Sequence, residues 1–383
     1  LWNFAGMAAT NRLVFPFAVQ ADIQNTVVMV APLNWGLGHA TRCIPLIRTL
    51  EHLGAKVVLA SDGAALQLLK AEFPHLPAVT LPSYRIRYAT DNMVRNIARQ
   101  LPRITYAIRA EQWATERVVR QYNISGIISD NRYGCFSRQA NSVLLTHQIR
   151  LRVPNAALQW AANRVLQQAM RKFREVWIPD VARAPGLAGE LSHPPLSGFE
   201  IKYLGILSRF STHDVPGNKT SGKIAVILSG PEPQRSYLEE ILLEQALSLP
   251  HHFVFVKGKT QEKTHHFVAE NVEMASYMTS GELKNLVSSC AVIVCRSGYS
   301  SIMDLAAIGL KKALLIPTPG QTEQEYLADS LHRSGIFLSQ KQDRVDLGAA
   351  LELLNHTTGI MSGSFDQQAY EPVLRQWLQT ISR

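Results

Sequence analysis

Long hydrophobic runs are missing from this sequence of 383 residues. No apolar stretch reaches the ~18 to 20 residues that a bilayer demands, so no membrane-crossing helix is expected. Cysteine is scarce. The four present, Cys43, Cys135, Cys290 and Cys295, show no zinc-like pairing with histidine and read as reduced, inert thiols of a cytoplasmic protein. The lysine of a P-loop is absent. So is the acidic residue that closes a dinucleotide fingerprint, because Asp62 lies beyond its strand in a Ser-Asp-Gly turn. The opening residues have no basic stretch ahead of a long apolar core and so do not resemble a signal peptide, and residues 1–25 read as a disordered or non-native lead with Met7 as a candidate start.

What is there is the composition of a soluble globular chain, 46% hydrophobic and 18% charged. The length favours two domains of roughly 150 to 200 residues. Charge is unevenly shared between them. Residues 1–205 hold 23 Lys and Arg against 12 Asp and Glu, whereas the remainder holds 16 against 18, so the net charge of +9 belongs wholly to the first half.

Residues 26–31, TVVMVA, read as a first strand, and a loop with Gly36 and Gly38 then delivers His39 to the mouth of a helix closed by Gly54. KVVLAS is the next strand. Strand, glycine turn, helix and strand open a Rossmann-type unit, although the glycines alone would also serve a plain tight turn. From Tyr84 to Arg120 the chain reads as helical and basic, with aromatic and aliphatic residues among the arginines. ISGIISD carries Asp130 to a strand end, SVLLTHQ carries His147, and a second basic helix ends at VWIPD, the expected last strand of this domain. Such basic faces suit either plain solvation or docking on an anionic membrane surface. With no recognised module or aromatic platform, nucleic acid is not expected as a partner.

The second half begins after a linker at residues 208–222. KIAVILS runs into GPEPQRS, with Gly230 and Arg235, and a helix; Ser280 is the candidate cap of a later one. Residues 290–331 are the most informative stretch. AVIVC is a buried strand, Arg296-Ser297-Gly298 a tight polar turn, Ser300 or Ser301 a cap for the helix ending at Gly309. ALLIPT is the next strand, and its loop opens a helix with Gln321, Glu323 and Gln324 near its start. Two helix N-termini at one sheet rim favour bound phosphate.

Taken together, Gly36, Gly38 and His39 in the first half and Cys295 to Gly298, Asp304 and Gln324 in the second resemble the family 28 glycosyltransferases of the GT-B fold. That group includes the enzyme adding N-acetylglucosamine to the lipid-linked peptidoglycan precursor and the plant galactolipid synthases. The resemblance implies an α/β protein of two Rossmann-like domains facing across a cleft, residues 26–207 binding acceptor and residues 223–365 binding a nucleotide sugar, with a helix at 366–383 returning to the first. It implies sugar transfer from a nucleotide diphosphate donor, UDP by expectation, to an acceptor hydroxyl that is lipid-linked or at a membrane surface, with a cytoplasmic location, peripheral at the inner face of the membrane. A nucleotide-sugar 2-epimerase and a non-catalytic nucleotide-sugar-binding protein are the alternatives.

The donor set is then Arg296, Ser297, Gly298, Ser300, Asp304, Gln321, Glu323, Gln324, Gly230 and Arg235, with Asp304 on the ribose. Asp304 departs from the family's longer Glu, and GPEPQR from a more glycine-rich phosphate loop. No Asp-x-Asp pair stands in a suitable place, so no metal and no cofactor beyond the substrate are expected; helix N-termini would meet the leaving diphosphate. An inverting transfer needs one base. Asp130 is the first candidate and His39 the second.

Overall fold

The computed structural model describes residues 23–84, 93–153, 155–210, 221–259, 263–310, 312–360 and 369–382. Most of the expected lead, most of the linker, and Arg85 and Arg87 lie outside these, while Ile23–Asn25 form a 3-10 turn. Among the described residues the first lobe holds seven strands: β1 (Val27–Pro32), β2 (Lys56–Ser61), β3 (Ala78–Thr80), β4 (Gly126–Asp130), β5 (Asn141–Leu145), β6 (Glu175–Ile178) and β7 (Ile201–Tyr203). They pair in parallel in the order β3-β2-β1-β4-β5-β6-β7. Strands this apolar need cover on both faces. The helices are α1 (Gly38–His52), α2 (Gly63–Glu72), α3 (Met93–Tyr122) and α4 (Ala156–Met170).

The strand order reverses at β1, which has β2 on one side and β4 on the other, and Pro32 and Asp130 are register partners at the carboxyl ends of that pair. A crevice opens where connections leave such a pair in opposite directions. The loop bearing Gly36, Gly38 and His39 leaves from here.

The second lobe repeats the plan. Its strands are β8 (Ser221–Ile227), β9 (Phe253–Val256), β10 (His265–Ala269), β11 (Val272–Ala275), β12 (Cys290–Cys295), β13 (Ala313–Leu315) and β14 (Leu338–Ser339). Their order is β10-β11-β9-β8-β12-β13-β14, parallel except for the β10–β11 pair. Its helices are α5 (Gln234–Leu247), α6 (Ser280–Ser289), α7 (Tyr299–Ile308), α8 (Thr322–Arg333) and α9 (Leu347–Leu353), and α10 (Tyr370–Ile381) follows. Here the order reverses between β8 and β12, whose loops carry Gly230 and Arg296 to Gly298.

The last helix does not stay with this lobe. Trp377 of α10 is 1% exposed, meets the Trp177 ring edge-on at 5.2 Å, and donates from Nε1 to Asn141 Oδ1 at 3.2 Å. A side chain at Gly126 would collide with it, since a Cβ there would lie 2.5 Å from the Trp377 ring.

Three local expectations are corrected. VWIPD is not the last strand of its sheet, because β7 pairs beyond it. Thr279, not Ser280, caps α6, in a capping box with Glu282. Neither serine caps α7, whose N-cap is Gly298, with no side-chain cap bond; Ser300 is used elsewhere. Gly309 does end α7, in the left-handed conformation at φ 67°.

Candidate active site

The two sheets present their reversal points to each other, and the contact between them is made by small residues. Gly36 turns the loop at φ +80°, and Gly38 starts α1. Ser300, in the first turn of α7, donates from Oγ to the Gly38 carbonyl at 2.9 Å. A Cβ on Gly38 would stand 2.8 Å from that oxygen. His39 therefore sits where the N-terminal ends of two helices from opposite lobes meet, in a region favourable to anions.

Behind His39 lies a buried charged cluster. His39 Nδ1 is 2.9 Å from Asp130 Oδ1. Asp130 is fully buried, and Arg42, one turn after His39 on α1, donates from Nε to its Oδ2 at 2.7 Å and from Nη2 to its Oδ1. Arg42 is 1% exposed. Burial alone would raise the Asp130 carboxyl, but the Arg42 guanidinium and His39 outweigh it and hold it well below the ordinary carboxylate range. Burial lowers His39; the nearby Asp130 opposes this, and the net shift is down from 6.5. A carboxylate so enclosed holds other groups in place. His39, with 15% of its side chain exposed, is the member of the pair that solvent reaches.

The cluster continues into the second lobe. Arg42 Nη1 donates to His147 Nδ1 at 3.1 Å, and His147 Nε2 is 2.7 Å from Glu323 Oε1. Gln148 donates to the other Glu323 oxygen. The His147 ring stacks on Tyr299, centroids 4.3 Å apart and planes 7° from parallel, while the Tyr299 hydroxyl donates to the Pro179 carbonyl at 2.7 Å. Neither Arg42 nor Tyr299 stands out in the sequence as a site residue. The available signal for Arg42 was an arginine set among Cys43, Ile44 and Ile47, on a helix turn that buries everything around it.

A second buried node supports the first lobe's loops. Arg132 is fully buried and donates to Glu111 Oε1 (2.5 Å), Asp62 Oδ1 (2.7 Å), and the carbonyls of Pro32 (3.3 Å) and Pro82 (2.8 Å). Asp62 in turn accepts from Asn34 at 3.1 Å, in the loop leading to Gly36.

The donor-side residues are gathered around β12 and β13, but many of their polar atoms are already engaged. Arg296 is 1% exposed and holds strand ends together, donating to the carbonyls of Ile316 (3.3 Å), Pro317 (3.2 Å) and Gln234 (2.7 Å) and to Gln342 Oε1 (2.6 Å). Burial brings its pKa down to about 10. Ser297 donates to the Gln324 carbonyl at 2.8 Å, the Gln324 side chain accepts from Thr318 N at 2.9 Å, and Gln321 is the N-cap of α8. Gly298 has open space where a Cβ would stand. Gly230 takes φ +102° in the loop before α5, and Arg235 donates to the Lys257 carbonyl at 2.8 Å and to Glu232. Asp304 faces the interlobe connection: it accepts from Ser208 Oγ at 2.5 Å, with Arg209 Nε 3.6 Å away. Burial raises the Asp304 carboxyl, opposed by Arg209.

Comparisons with known proteins agree with this frame. Residues 234–358 match the glycosyltransferase family 28 C-terminal domain. Comparison with curated proteins finds no match. Among solved structures, the fold resembles MurG of Acinetobacter baumannii (TM-score 0.51, 14% identity, 93% of this chain and 98% of that one). It also resembles SnogD, a glycosyltransferase from Streptomyces nogalater (0.56, 16%, 93% and 94%), and the spinosyn rhamnosyltransferase SpnG complexed with thymidine diphosphate (0.58, 13%, 93% and 96%). SnogD and SpnG are glycosyltransferases by name, and the shared frame is the GT-B fold.

Proposed function

We propose that this chain, a glycosyltransferase built on the GT-B frame with a family 28 C-terminal domain, moves a sugar from a nucleoside diphosphate donor, UDP by preference, to an acceptor hydroxyl, with His39 as the base. The observation that carries the reading is the Gly38–Ser300 contact, which brings the N-termini of α1 and α7 together with His39 between the lobes. Two positive helix ends in contact favour a doubly charged diphosphate beside them. SpnG, of the same fold, holds thymidine diphosphate, which supports the donor class.

In the reaction, His39 Nε2 takes the proton of the acceptor hydroxyl as its oxygen attacks the anomeric carbon. The bond from that carbon to the diphosphate oxygen breaks, and the diphosphate leaves with its charge met by backbone N–H groups of the helix ends. One direct displacement inverts the anomeric centre. Asp130 keeps His39 oriented and is itself neutralised by Arg42. For the hydroxyls of the donor sugar we assign Glu323 and Gln324, at the start of α8.

The acceptor is proposed to be lipid-linked, met at an anionic membrane surface. Exposed Arg103, Tyr106, Trp113, Arg117 and Arg120 follow helical spacing on α3, and Leu158, Trp160, Arg164 and Val165 are exposed on α4. Apolar rings among cations suit an interface with acidic headgroups.

The test is a thermal-shift panel of nucleotide sugars, followed by release of nucleoside diphosphate with and without a lipid extract as acceptor. A true donor raises the melting temperature by linkage. Turnover that needs the acceptor is expected; turnover of donor alone to an epimer, or no shift with any nucleotide sugar, would overturn the reading.

A further inference from the structure

The Nδ1 atom of His39 has two claimants. Asp130 Oδ1, at 2.9 Å, can only accept and so requires a proton on Nδ1. Arg42 Nη2, at 3.0 Å, can only donate and so requires the lone pair there. One nitrogen of a neutral ring satisfies one of them. With the proton on Nδ1, the lone pair is on Nε2 and His39 is competent as a base. With the lone pair on Nδ1, Nε2 carries the proton and the base is lost.

His147 enters this competition from the far side of the guanidinium. Because Arg42 Nη1 can only donate, His147 Nδ1 must accept, which leaves the His147 proton on Nε2, directed at Glu323 Oε1. The two contacts specify the same neutral tautomer of His147. The ring is 4% exposed and held flat against Tyr299. It is thus a fixed acceptor that pins the guanidinium through Nη1, with Nη2 donating to Asp130 Oδ1.

We propose that His147 is a positioning residue that selects the base-competent tautomer of His39: by engaging Arg42 Nη1 it holds Nη2 on Asp130 Oδ1, so that His39 keeps its proton on Nδ1, directed at Asp130. This rests on the reading of His39 as the base. Since Glu323 belongs to the second lobe, the selection is in force only while the lobes are together.

Two substitutions separate this role from mere packing. His147→Gln offers an amide oxygen to Arg42 and an amide N–H to Glu323; His147→Leu offers neither at similar volume. In nitrogen-15 NMR of the full chain with labelled histidine, the His39 signals being those lost in His39→Gln, the unchanged protein and His147→Gln are expected to carry the proton on Nδ1. His147→Leu is expected to move it to Nε2, with kcat falling about 100-fold at unchanged donor KM and largely restored in His147→Gln. A His39 tautomer unchanged in His147→Leu would overturn the proposal, whatever the rate does. Should His147→Leu fail to fold, Glu323→Ala frees His147 Nε2 and is expected to give mixed His39 tautomers; a pure Nδ1–H signal there would overturn it equally. The NMR result stands apart from turnover, so a protein that binds no nucleotide sugar would sink the transferase reading and leave the tautomer question decided on its own.

Discussion

Ser300 Oγ lies 2.9 Å from the carbonyl oxygen of Gly38, and those two residues belong to different lobes. Their contact sets the separation of α1 from α7 and leaves no room for even a methyl group on residue 38. The catalytic geometry proposed above depends on that spacing.

Gly38→Ala is accordingly expected to force the lobes apart or to strain the first turn of α1, an overpacking cost of about 1–3 kcal/mol. Turnover should fall, and small-angle scattering should register a larger radius of gyration. Adding Ser300→Gly removes the obstructing atom and should restore both. Full activity of Gly38→Ala alone would show that the contact does not hold the site.

Substitution of His39 and of Asp130 should separate chemistry from stability. His39→Ala is expected to lower kcat by about 10²- to 10⁴-fold, the usual share of a general base, with little change in urea unfolding. Asp130→Ala leaves the Arg42 guanidinium buried and unpaired, which should destabilise the fold by about 3–5 kcal/mol. Equal destabilisation by the two changes would contradict the division of labour.

The pH dependence follows from the burial of His39, which brings its pKa below 6.5 despite the opposing Asp130 charge. The base works in its neutral form, so kcat should be flat above pH 6.5 and fall only below it, as protons are taken up at the depressed value. Stability has the same sign, because the unfolded chain binds the proton more readily and gains on the native state as pH drops below 6.5. A kcat profile with its acid limb above pH 7 would exclude His39 as the titrating base.

Arg132 bridges two buried carboxylates and two carbonyls, and a lysine cannot reproduce that fork. Arg132→Lys and Arg132→Leu should both destabilise the protein strongly, by about 3 kcal/mol or more in urea titration, since Glu111 and Asp62 lose their common partner. Wild-type stability in Arg132→Lys would mean that one donor suffices there.

Docking on a membrane should be electrostatic in onset and apolar in retention. Binding to vesicles of acidic lipid is expected to weaken as salt rises, with each arginine of α3 near the surface contributing about 1 kcal/mol at low salt. Trp113→Glu with Trp160→Glu should reduce binding further at every salt concentration. Vesicle binding indifferent to salt would remove the electrostatic part.

Much of the frame was legible because it is written locally. KVVLAS is β2 to the residue, and the apolar run of β12, the polar turn after it and Gly309 mark the start and stop of their elements within a few positions. Strands β3, β10 and β14 escaped because they are edge strands only two to five residues long, too short to show a pattern of their own. The site was less legible. Asp130 could be suspected from its strand end and His39 from the mouth of its helix, but that Arg42 clasps Asp130 beside His39, or that Ser208 faces Asp304, follows only from how separate segments pack. Burial also changed what a residue is suited to do: Asp130 and Arg296 look like free charges in the sequence and are enclosed in the structure.

The placement of α10 has a consequence for how the molecule is made. Synthesis runs from the first lobe to the second, yet Trp377, which covers Gly126 and meets Trp177, is joined only after the whole of the second lobe's sheet. For the time needed to add the intervening chain, about 10 to 35 s at ordinary translation rates, the floor of the first sheet around Trp177 has no cover of its own. The nascent first lobe then carries an apolar surface that waits for α10, and it is covered only once that helix has emerged.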